Sequence, residues 1–194
     1  MIIEKHKTIF VHIPKNAGTS IKIFFGMKGP KDMLPLSQHD TIKDIKEKIP
    51  NKYKEYKKFT IVRNPYSRMI SWFFYLKKKT NPTNFITGEV NKEQLEFKKN
   101  VDFKQWVKSD FKYFNVYSRD LLMPQYNWVD ETVTVLKFEN LKEELEKFFK
   151  YKINIPHNNA TNHEKYINYY DQESLDIVYD KYKKDFEKFN YKKI

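Results

Sequence analysis

The sequence predicts an α/β protein in which helices flank a parallel sheet, and three observations support that prediction. The chain has 194 residues, which fits a single domain spanning residues 1–194. Apolar residues make up 40% of the chain and aromatic residues 17%, which is enough to form a core. Three runs rich in β-branched and aromatic residues are each followed by a helix signal rather than by a tight turn. Alternating strands and helices are typical of parallel sheets covered by helices.

The predicted strands cover residues 8–13, 59–63 and 132–138. After the first strand, Gly18-Thr19-Ser20 leads into the apolar run IKIFF, which predicts a helix. After the second strand, Pro65 stands at a position where proline suits the first residue of a helix, and a long apolar and aromatic run follows it.

After the third strand, Asn140 and Glu143 have the spacing of a capping box, which predicts a further helix start. Residues 171–189 carry apolar side chains at helical spacing and predict a packing helix. Two stretches, 27–57 and 77–101, lack a clear period. We interpret them as long loops, which are either insertions that face a substrate or solvated surface excursions.

Composition excludes several classes of site. The net charge of +12 favours anionic partners, although arginine occurs only at Arg63, Arg68 and Arg119, and a lysine-rich composition is equally well explained by a general compositional bias. Without cysteine there is no disulfide, thiolate metal site or cysteine nucleophile. The four glycines form neither a G-x-G-x-x-G loop nor a G-x-x-x-x-G-K-[ST] loop.

The amino-terminal run MIIEKHKTIFVHI is charged, and its apolar part is too short for a signal peptide. No stretch approaches the roughly 20 apolar residues of a membrane-spanning helix. We therefore expect a soluble, basic, cytoplasmic protein.

Candidate binding residues follow the first two predicted strands. Behind the first strand, Gly18 allows close approach of a ligand to the backbone, and Thr19 and Ser20 offer hydroxyl groups at a helix amino terminus, where anions are favoured. Lys15 adds a positive charge just before them. This combination suits a phosphate or a phosphosulfate, and the alternative is an ordinary strand–loop–helix turn with a Ser/Thr cap.

Behind the second strand, Arg63 and Arg68 lie close together in a chain whose other positive charges are almost all lysine. The planar guanidinium binds phosphate oxygens in a bidentate manner, which lysine does not. Ser67 and Ser71 are four positions apart and share one helix face. The alternative is that Arg63 ends the strand and pairs with a surface carboxylate.

The segments HIPKNAGTS (12–20) and IVRNPYSRMISWF (61–73) closely resemble the two signature regions of sulfotransferases that use 3′-phosphoadenosine 5′-phosphosulfate (PAPS). The similarity is greatest to the carbohydrate branch, which includes heparan sulfate 2-O-sulfotransferase. It implies a P-loop-like α/β fold and transfer of a sulfuryl group from PAPS to an acceptor hydroxyl, on a saccharide or glycan, with release of 3′-phosphoadenosine 5′-phosphate (PAP). No metal is implied.

Carried over by position, the resemblance implies two groups of donor-binding residues. The residues implied to bind the phosphosulfate are Lys15, Asn16, Ala17, Gly18, Thr19 and Ser20. Arg63 and Ser71 are implied to bind the 3′-phosphate. Asn16 stands where the family more often has threonine. Weaker similarity extends to residues 124–126, 138–141 and 159–161, and it implies that Asn159 or Thr161 approaches the nucleotide.

Sulfuryl transfer needs a group that stabilises charge on the departing phosphate and a base that accepts the acceptor's proton. Lys15 suits the first task. A histidine suits the second, because its ordinary pKa is about 6.5. His39 matches the place where carbohydrate members of the family have their catalytic histidine, and Asp40 is positioned in sequence to orient it. The other candidates are His6, His12, which lies within the first predicted strand, His157 and His163; a carboxylate base also stays open.

Two other functions remain at this point. A P-loop nucleotide kinase or nucleoside triphosphatase shares the strand–loop–helix anion site, but it needs a Lys-[ST] pair after the last glycine, whereas Lys15 precedes Gly18. A non-enzymatic basic module that binds a polyanion, either nucleic acid or a glycan, agrees with the charge. Most aromatic residues fall at core spacing, so we do not expect nucleic acid to be the partner.

Overall fold

The protein contains a four-stranded mixed sheet. This computed structural model describes residues 1–27, 29–78, 100–109, 120–154 and 165–194. The strands are β1 (Ile2–Ile3), β2 (Thr8–Val11), β3 (Lys57–Val62) and β4 (Thr134–Lys137), in the spatial order β1-β2-β3-β4. β2, β3 and β4 are parallel, as predicted, and the short β1 adds an antiparallel edge that the sequence analysis missed.

Seven α-helices lie within the described residues. In chain order they are α1 (Gly18–Phe24), α2 (Ile42–Lys48), α3 (Pro50–Glu55), α4 (Pro65–Lys78), α5 (Phe103–Lys108), α6 (Leu141–Phe149) and α7 (Gln172–Lys188). Short 3-10 helices cover Glu4–His6, Pro30–Met33, Gln125–Trp128, Phe138–Asn140 and Tyr166–Tyr169. Among the described helices, none combines the length and the apolar character that a membrane crossing requires.

The chain divides into two compact units. The first unit comprises Met1–Asn64 and Pro124–Ala160, and the second comprises Pro65–Met123 and Thr161–Ile194. The first unit holds the whole sheet together with α1, α2, α3 and α6, whereas α4, α5 and α7 form the second. The assignment of residues 1–194 to one domain stays a prediction.

The core of the first unit lies on the sheet. β2 is buried along its whole length, which is the pattern of an inner parallel strand covered on both faces. Phe10 of β2 stacks on Phe59 of β3 with ring centroids 4.8 Å apart. Ile21 of α1 and Leu145 of α6 pack into the same cluster. The sheet is therefore held rigidly by apolar contacts, and the turns at its ends are built on a firm support.

Aromatic side chains form the core of the second unit. Phe103 of α5 contacts Phe73 of α4 and Tyr170, with ring centroids 5.5 Å and 4.7 Å away. Asp171 caps α7 by accepting the Ser174 N–H at 2.9 Å. α7 corresponds to the predicted packing helix 171–189, but Tyr182 has non-helical torsions (φ −113°, ψ 18°) and interrupts it.

Several sequence expectations need correction. The stretch 27–57 is not a loop throughout, because α2 and α3 lie in it. α2 begins with a capping box in which Thr41 and Asp44 exchange hydrogen bonds, and Pro50 is the first residue of α3. Both helices have seven residues or fewer, too short for a period to stand out among lysines.

The predicted capping role of Asn140 is wrong. Its side chain makes no cap hydrogen bond, since the 3-10 turn Phe138–Asn140 leads directly into α6 and fixes the chain there instead. Two strands are also shorter than predicted, since β2 ends at Val11 and β4 begins at Thr134, whereas β3 begins earlier than predicted, at Lys57. Most of the predicted surface stretch 77–101 lies outside the described residues.

Candidate active site

Two segments of the first unit leave the same edge of the sheet. β2 ends at Val11 and β3 at Val62, and these neighbouring strands are parallel. The first loop, residues 14–20, and the second loop, Arg63 and Asn64, therefore both begin at the carboxyl edge, where open α/β sheets bind ligands. The sequence analysis expects the two motifs directly after the first two strands of a parallel sheet, which agrees with this arrangement.

The first loop has an unusual backbone. Lys15 (φ 68°) and Ala17 (φ 60°) are both in the left-handed region, which costs a residue with a side chain about 1 kcal/mol or more. Such strain is concentrated at functional sites, and left-handed residues in a turn direct successive N–H groups toward one point where an anion binds. Lys15 is half-buried, Thr19 is exposed and Ser20 is 8% exposed.

Gly18 is required for a reason that the sequence did not reveal. A Cβ built on Gly18 would lie 1.8 Å from Nε2 of His12, well inside van der Waals contact. The His12 imidazole thus occupies the space of a side chain at position 18. Among the described glycines only Gly26 has a positive φ, so the requirement at Gly18 is steric rather than conformational.

One buried carboxamide ties the two loops together. Oε1 of Gln125 accepts hydrogen bonds from Nδ2 of Asn16 at 2.7 Å and from the N–H of Arg63 at 2.9 Å. Nε2 of Gln125 donates to the Arg63 carbonyl at 2.8 Å. Asn16 also donates to the carbonyl of Ile61 in β3 at 2.7 Å. Gln125 and Asn16 are both 0% exposed, so water does not compete and the network fixes one relative placement of the loops.

The side chain of Asn16 therefore points into this network. Only the backbone groups of residue 16 are available to bind a ligand. Its Oδ1 is buried and has no hydrogen-bond partner among the described residues. An orphaned buried oxygen is uncommon in folded proteins and is frequently associated with a functional site.

Arg63 lies against the first loop. Its Nη1 donates to the Lys15 carbonyl at 3.3 Å, and its Cζ is 4.3 Å from the centroid of the Phe138 ring. The ring face holds the guanidinium plane by a cation–π contact. Glu139 accepts the Asn64 N–H at 2.8 Å and secures the second loop at its other end.

His39 lies in the same unit as these loops. It is half-buried, and its ring centroid is 4.8 Å from that of His12 and 6.3 Å from that of Trp128. The expected orienting role of Asp40 finds no contact to support it. The Asp40 carboxylate instead accepts hydrogen bonds from Nζ of Lys48 at 2.8 Å and 2.9 Å and from the Ser37 N–H at 2.7 Å.

Burial and nearby positive charges favour the neutral form of His12. Burial lowers the pKa of His12 well below its usual value of 6.5, and the positive charges of His39, Lys22 and the Met1 amino group lower it further. A backbone hydrogen bond with Gln38 acts in the opposite direction. Lys22 is half-buried, donates to Oε1 of Gln38 at 3.2 Å, and has its own pKa lowered by burial.

The remaining predicted residues of the second motif lie on α4 in the second unit. Ser67 and Ser71 are half-buried one helical turn apart. Arg68 is 1% exposed, and its guanidinium donates to the carbonyls of Leu121 at 3.0 Å and Met123 at 3.1 Å. Arg68 therefore has a structural role, so the two arginines of the motif are not equivalent.

Several candidates lie outside the described residues: Arg119, His157, His163, Asn159 and Thr161. His6 is described; it packs against the rings of Phe25, Phe149 and Tyr151 on the 3-10 helix that precedes β2. Within the part of the chain that the structure describes, no group of three His, Asp or Glu side chains is placed to hold a metal ion.

Sequence reasoning missed the parts played by Gln125 and His12. Gln125 was noticed only within a weakly similar segment, and His12 was interpreted as a structural strand residue. A lone glutamine at the start of a short 3-10 helix gives no periodic signal, and its partners are 109 and 62 positions away in the chain. The position of His12, at the end of a buried strand and just before a glycine-containing loop, was the one local indication.

Comparison with known proteins agrees with this geometry. A sequence model described as the sulfotransferase family matches residues 1–192, which is nearly the whole chain. No curated protein and no solved structure matches the chain. The family match includes both loops and all four strands of the α/β sheet, and it confirms the family that the two motifs indicate: the chain belongs to the sulfotransferase family.

Proposed function

We propose that the protein transfers a sulfuryl group from PAPS to a hydroxyl group on a saccharide acceptor. Membership of the sulfotransferase family establishes sulfuryl transfer as the class of reaction. The observation that supports PAPS as the donor is the Gln125 network, which holds the first loop and Arg63 together at one edge of the sheet. A donor with anionic groups at both ends requires two such cationic loops in a fixed relation.

The residues present fit this donor. Residues 14–20 include no acidic side chain, contain one lysine and two hydroxyl groups, and have a strained turn of the kind that binds anions. We assign the phosphosulfate to the first loop, Lys15 to Ser20, and the 3′-phosphate to Arg63 and Ser71.

PAPS supplies the sulfuryl group as a substrate when it is bound. Lys15 stabilises the negative charge that develops on the departing phosphate oxygen as the sulfur–oxygen bond breaks. His39 accepts the proton of the acceptor hydroxyl as its oxygen bonds to sulfur. The other residues of the first loop and Arg63 take part in no chemical step. They hold the donor in line with the acceptor, so that the reaction does not depend on a chance encounter of two free molecules.

A carbohydrate acceptor is the proposal that the resemblance to the carbohydrate branch supports. The net charge of +12 favours an acidic saccharide over a neutral one. Activity on neutral acceptors alone would contradict this preference for acidic saccharides without affecting the donor assignment.

The donor assignment is tested by calorimetric titration with PAP. We expect the wild type to bind PAP and Arg63→Ala to bind it with about 10- to 100-fold lower affinity, because the loss of a charged hydrogen-bond donor costs about 1.5–3 kcal/mol. Lys7→Ala is the matched control, since Lys7 is an exposed cation of the same unit that pairs with Glu55. It should bind PAP as the wild type does.

An unchanged PAP affinity in Arg63→Ala would show that the second loop does not bind the donor. Turnover of ATP that depends on Mg²⁺, without a response to PAP, would favour the kinase alternative. Incubation with labelled PAPS and a panel of acidic and neutral glycans then identifies the acceptor class.

A further inference from the structure

The imidazole of His12 lies between the first loop and the proposed base. His12 follows β2 directly, and it is only 5% exposed. On one side its ring packs on the backbone of Gly18. On the other side its centroid is 4.8 Å from that of His39, with 38° between the ring planes. One buried ring thus contacts a residue assigned to donor binding and the residue assigned to proton removal.

The ring of His12 is also supported from the sheet. Its centroid is 5.7 Å from that of Phe10, which lies two positions earlier, on β2. Phe10 is 0% exposed and stacks in turn on Phe59 of β3. Because the strand core behind it is closely packed, the imidazole has no free space into which to move back.

The contact between the His12 ring and Gly18 is very close. The ideal Cβ position at residue 18 lies 1.8 Å from Nε2, 2.2 Å from Cδ2 and 2.4 Å from Cε1 of His12. All three ring atoms are closer than any real Cβ contact allows, so the ring rests on the Gly18 main chain. Any displacement of the imidazole is therefore transmitted to the first loop.

The chemistry of His12 agrees with a spacer rather than with a second base. Its surroundings hold it in the neutral form, and its Nδ1 is buried with no hydrogen-bond partner among the described residues. Because its pKa is lowered well below 6.5, His12 is a weaker base than an ordinary histidine, which leaves the proton of the acceptor to His39. The neutral ring also adds no charge beside the departing phosphate.

We propose that His12 is a positioning residue, whose imidazole sets the separation between the first loop and His39. The inference rests on the proposed function, because it assumes that the first loop binds the donor and that His39 is the base. In-line transfer requires the acceptor oxygen, held at the base, to face the sulfur atom, held at the loop. A misplacement of about 1 Å lowers the rate of such a step by about 100-fold.

The first test compares His12→Ala with His12→Phe in the complete chain. Removing the ring in His12→Ala should lower kcat about 30-fold, while KM for PAPS changes about threefold or less. His12→Phe keeps a planar ring in an apolar setting and should recover most of the lost kcat. Calorimetric stoichiometry with PAP gives the folded, binding-competent fraction, so kcat is expressed per folded molecule.

The second test uses the steric contact. In Gly18→Ala the new methyl group displaces the imidazole, so we expect a loss of kcat and a weaker affinity for PAP. In the double variant His12→Ala/Gly18→Ala the methyl group occupies space that the ring has left. The double variant should therefore be no worse than His12→Ala alone, a strongly non-additive result.

His6→Ala is the matched control. His6 is also a partly buried histidine packed against aromatic rings, but it precedes β2 instead of following it. We expect it to keep both kcat and PAP affinity.

Four outcomes would overturn the proposal. If His12→Ala keeps kcat per folded molecule within about twofold, the ring does not position the base. If His12→Phe is as impaired as His12→Ala, or if the losses of His12→Ala and Gly18→Ala are additive, the ring is not the spacer. A wild type that binds no PAP overturns both this inference and the proposed function, whereas the first three results leave the proposed function intact.

Discussion

Arg63 and Arg68 lie five positions apart in one motif, yet they serve different regions of the molecule. Arg63 belongs to the first unit, where its Nη1 reaches the Lys15 carbonyl and its plane lies on the Phe138 ring. Arg68 belongs to the second unit, where its guanidinium donates to the carbonyls of Leu121 and Met123. The same residue type thus contacts a strained loop in one region and secures a chain segment in the other.

The difference extends to the polar groups around each arginine. Near Arg63, buried polar atoms are shared between two loops, and Asn16 Oδ1 has no partner among the described residues. Around Arg68, burial lowers the guanidinium pKa, and the negative charges of Asp185 and Asp120 oppose that shift. The Tyr182 hydroxyl donates to the Leu122 carbonyl at 2.7 Å, so three consecutive carbonyls of this segment are occupied.

The comparison teaches that a buried arginine in a phosphate-binding motif is not by itself a ligand contact. Where backbone carbonyls in fixed positions accept its hydrogen bonds, a buried guanidinium has a structural role, because a buried carbonyl without a donor is unfavourable. We therefore expect substitutions in the two regions to have separable effects: on chemistry and donor affinity in the first unit, and on stability in the second.

The largest expected effect on chemistry is that of His39→Ala. Removing a general base lowers kcat by about 100- to 1000-fold, and PAP affinity should stay the same because the donor loops are intact. Steady-state kinetics with PAPS and the identified acceptor, together with a PAP titration, measure both quantities. Retention of most of the activity would remove His39 from the mechanism and leave another histidine or a carboxylate as the candidate base.

A substitution in the second unit, Arg68→Met, should lower stability without changing donor affinity. The substitution removes the donor from the buried Leu121 carbonyl and from the partly buried Met123 carbonyl, so we expect the free energy of unfolding to fall by about 3 kcal/mol. PAP affinity, measured on the folded fraction, should be unchanged, in contrast to Arg63→Ala. Urea denaturation gives the stability, and an unchanged slope shows that the unfolding reaction is the same.

Lys104→Met is the control for Arg68→Met. Lys104 is exposed in the same unit and forms a 3.7 Å ion pair with Asp171, so its loss should hardly change the denaturation midpoint. A large loss of PAP affinity in Arg68→Met, without loss of stability, would mean that both arginines bind the donor and would break the distinction between the regions.

The sequence was sufficient for the features that depend on local signals. The runs that became β2, β3 and β4 are rich in β-branched and aromatic residues, and Pro65 marks the start of α4 as predicted. Because parallel strands place their carboxyl ends together, the common edge of the two motifs followed from strand direction alone. The short helices α2 and α3 were missed, since their signals are single capping residues rather than a period.

The features that depend on contacts across the chain were not predictable in this way. The different roles of Arg63 and Arg68 are decided by carbonyls at positions 121 and 123, which no local pattern connects to the motif. The prediction that Gly18 allows a ligand to approach the backbone stays a prediction, and the packed structure adds a second reason for glycine there, because the ring of His12 occupies the space of a Cβ. Such reasons need the packed structure.

The smallest expected effect is a pH dependence of stability that differs between the two units. In the second unit, burial raises the pKa of Tyr170 well above 10, and Arg68 stays charged, so neither titrates between pH 5 and 7. In the first unit, the pKa of His12 is lowered well below 6.5 in the folded state. Below about pH 6.5 the unfolded chain binds a proton that the folded protein excludes, so stability falls as the pH falls.

The contribution of His12 is isolated by comparison with His12→Phe. Each pH unit below about 6.5 should cost the wild type up to about 1.4 kcal/mol more than the variant, until the folded-state pKa is reached. The Met1 amino group, whose pKa burial lowers to about 5, titrates in both proteins and therefore cancels in the difference. Urea denaturation measures this difference in the free energy of unfolding between the two proteins. We would use pH 7.5, 6.5 and 5.5, which bracket the ordinary histidine pKa of about 6.5. Parallel stability curves would show that folding leaves the pKa of His12 unchanged, and the sheet edge would then be no more sensitive to acid than the helical unit.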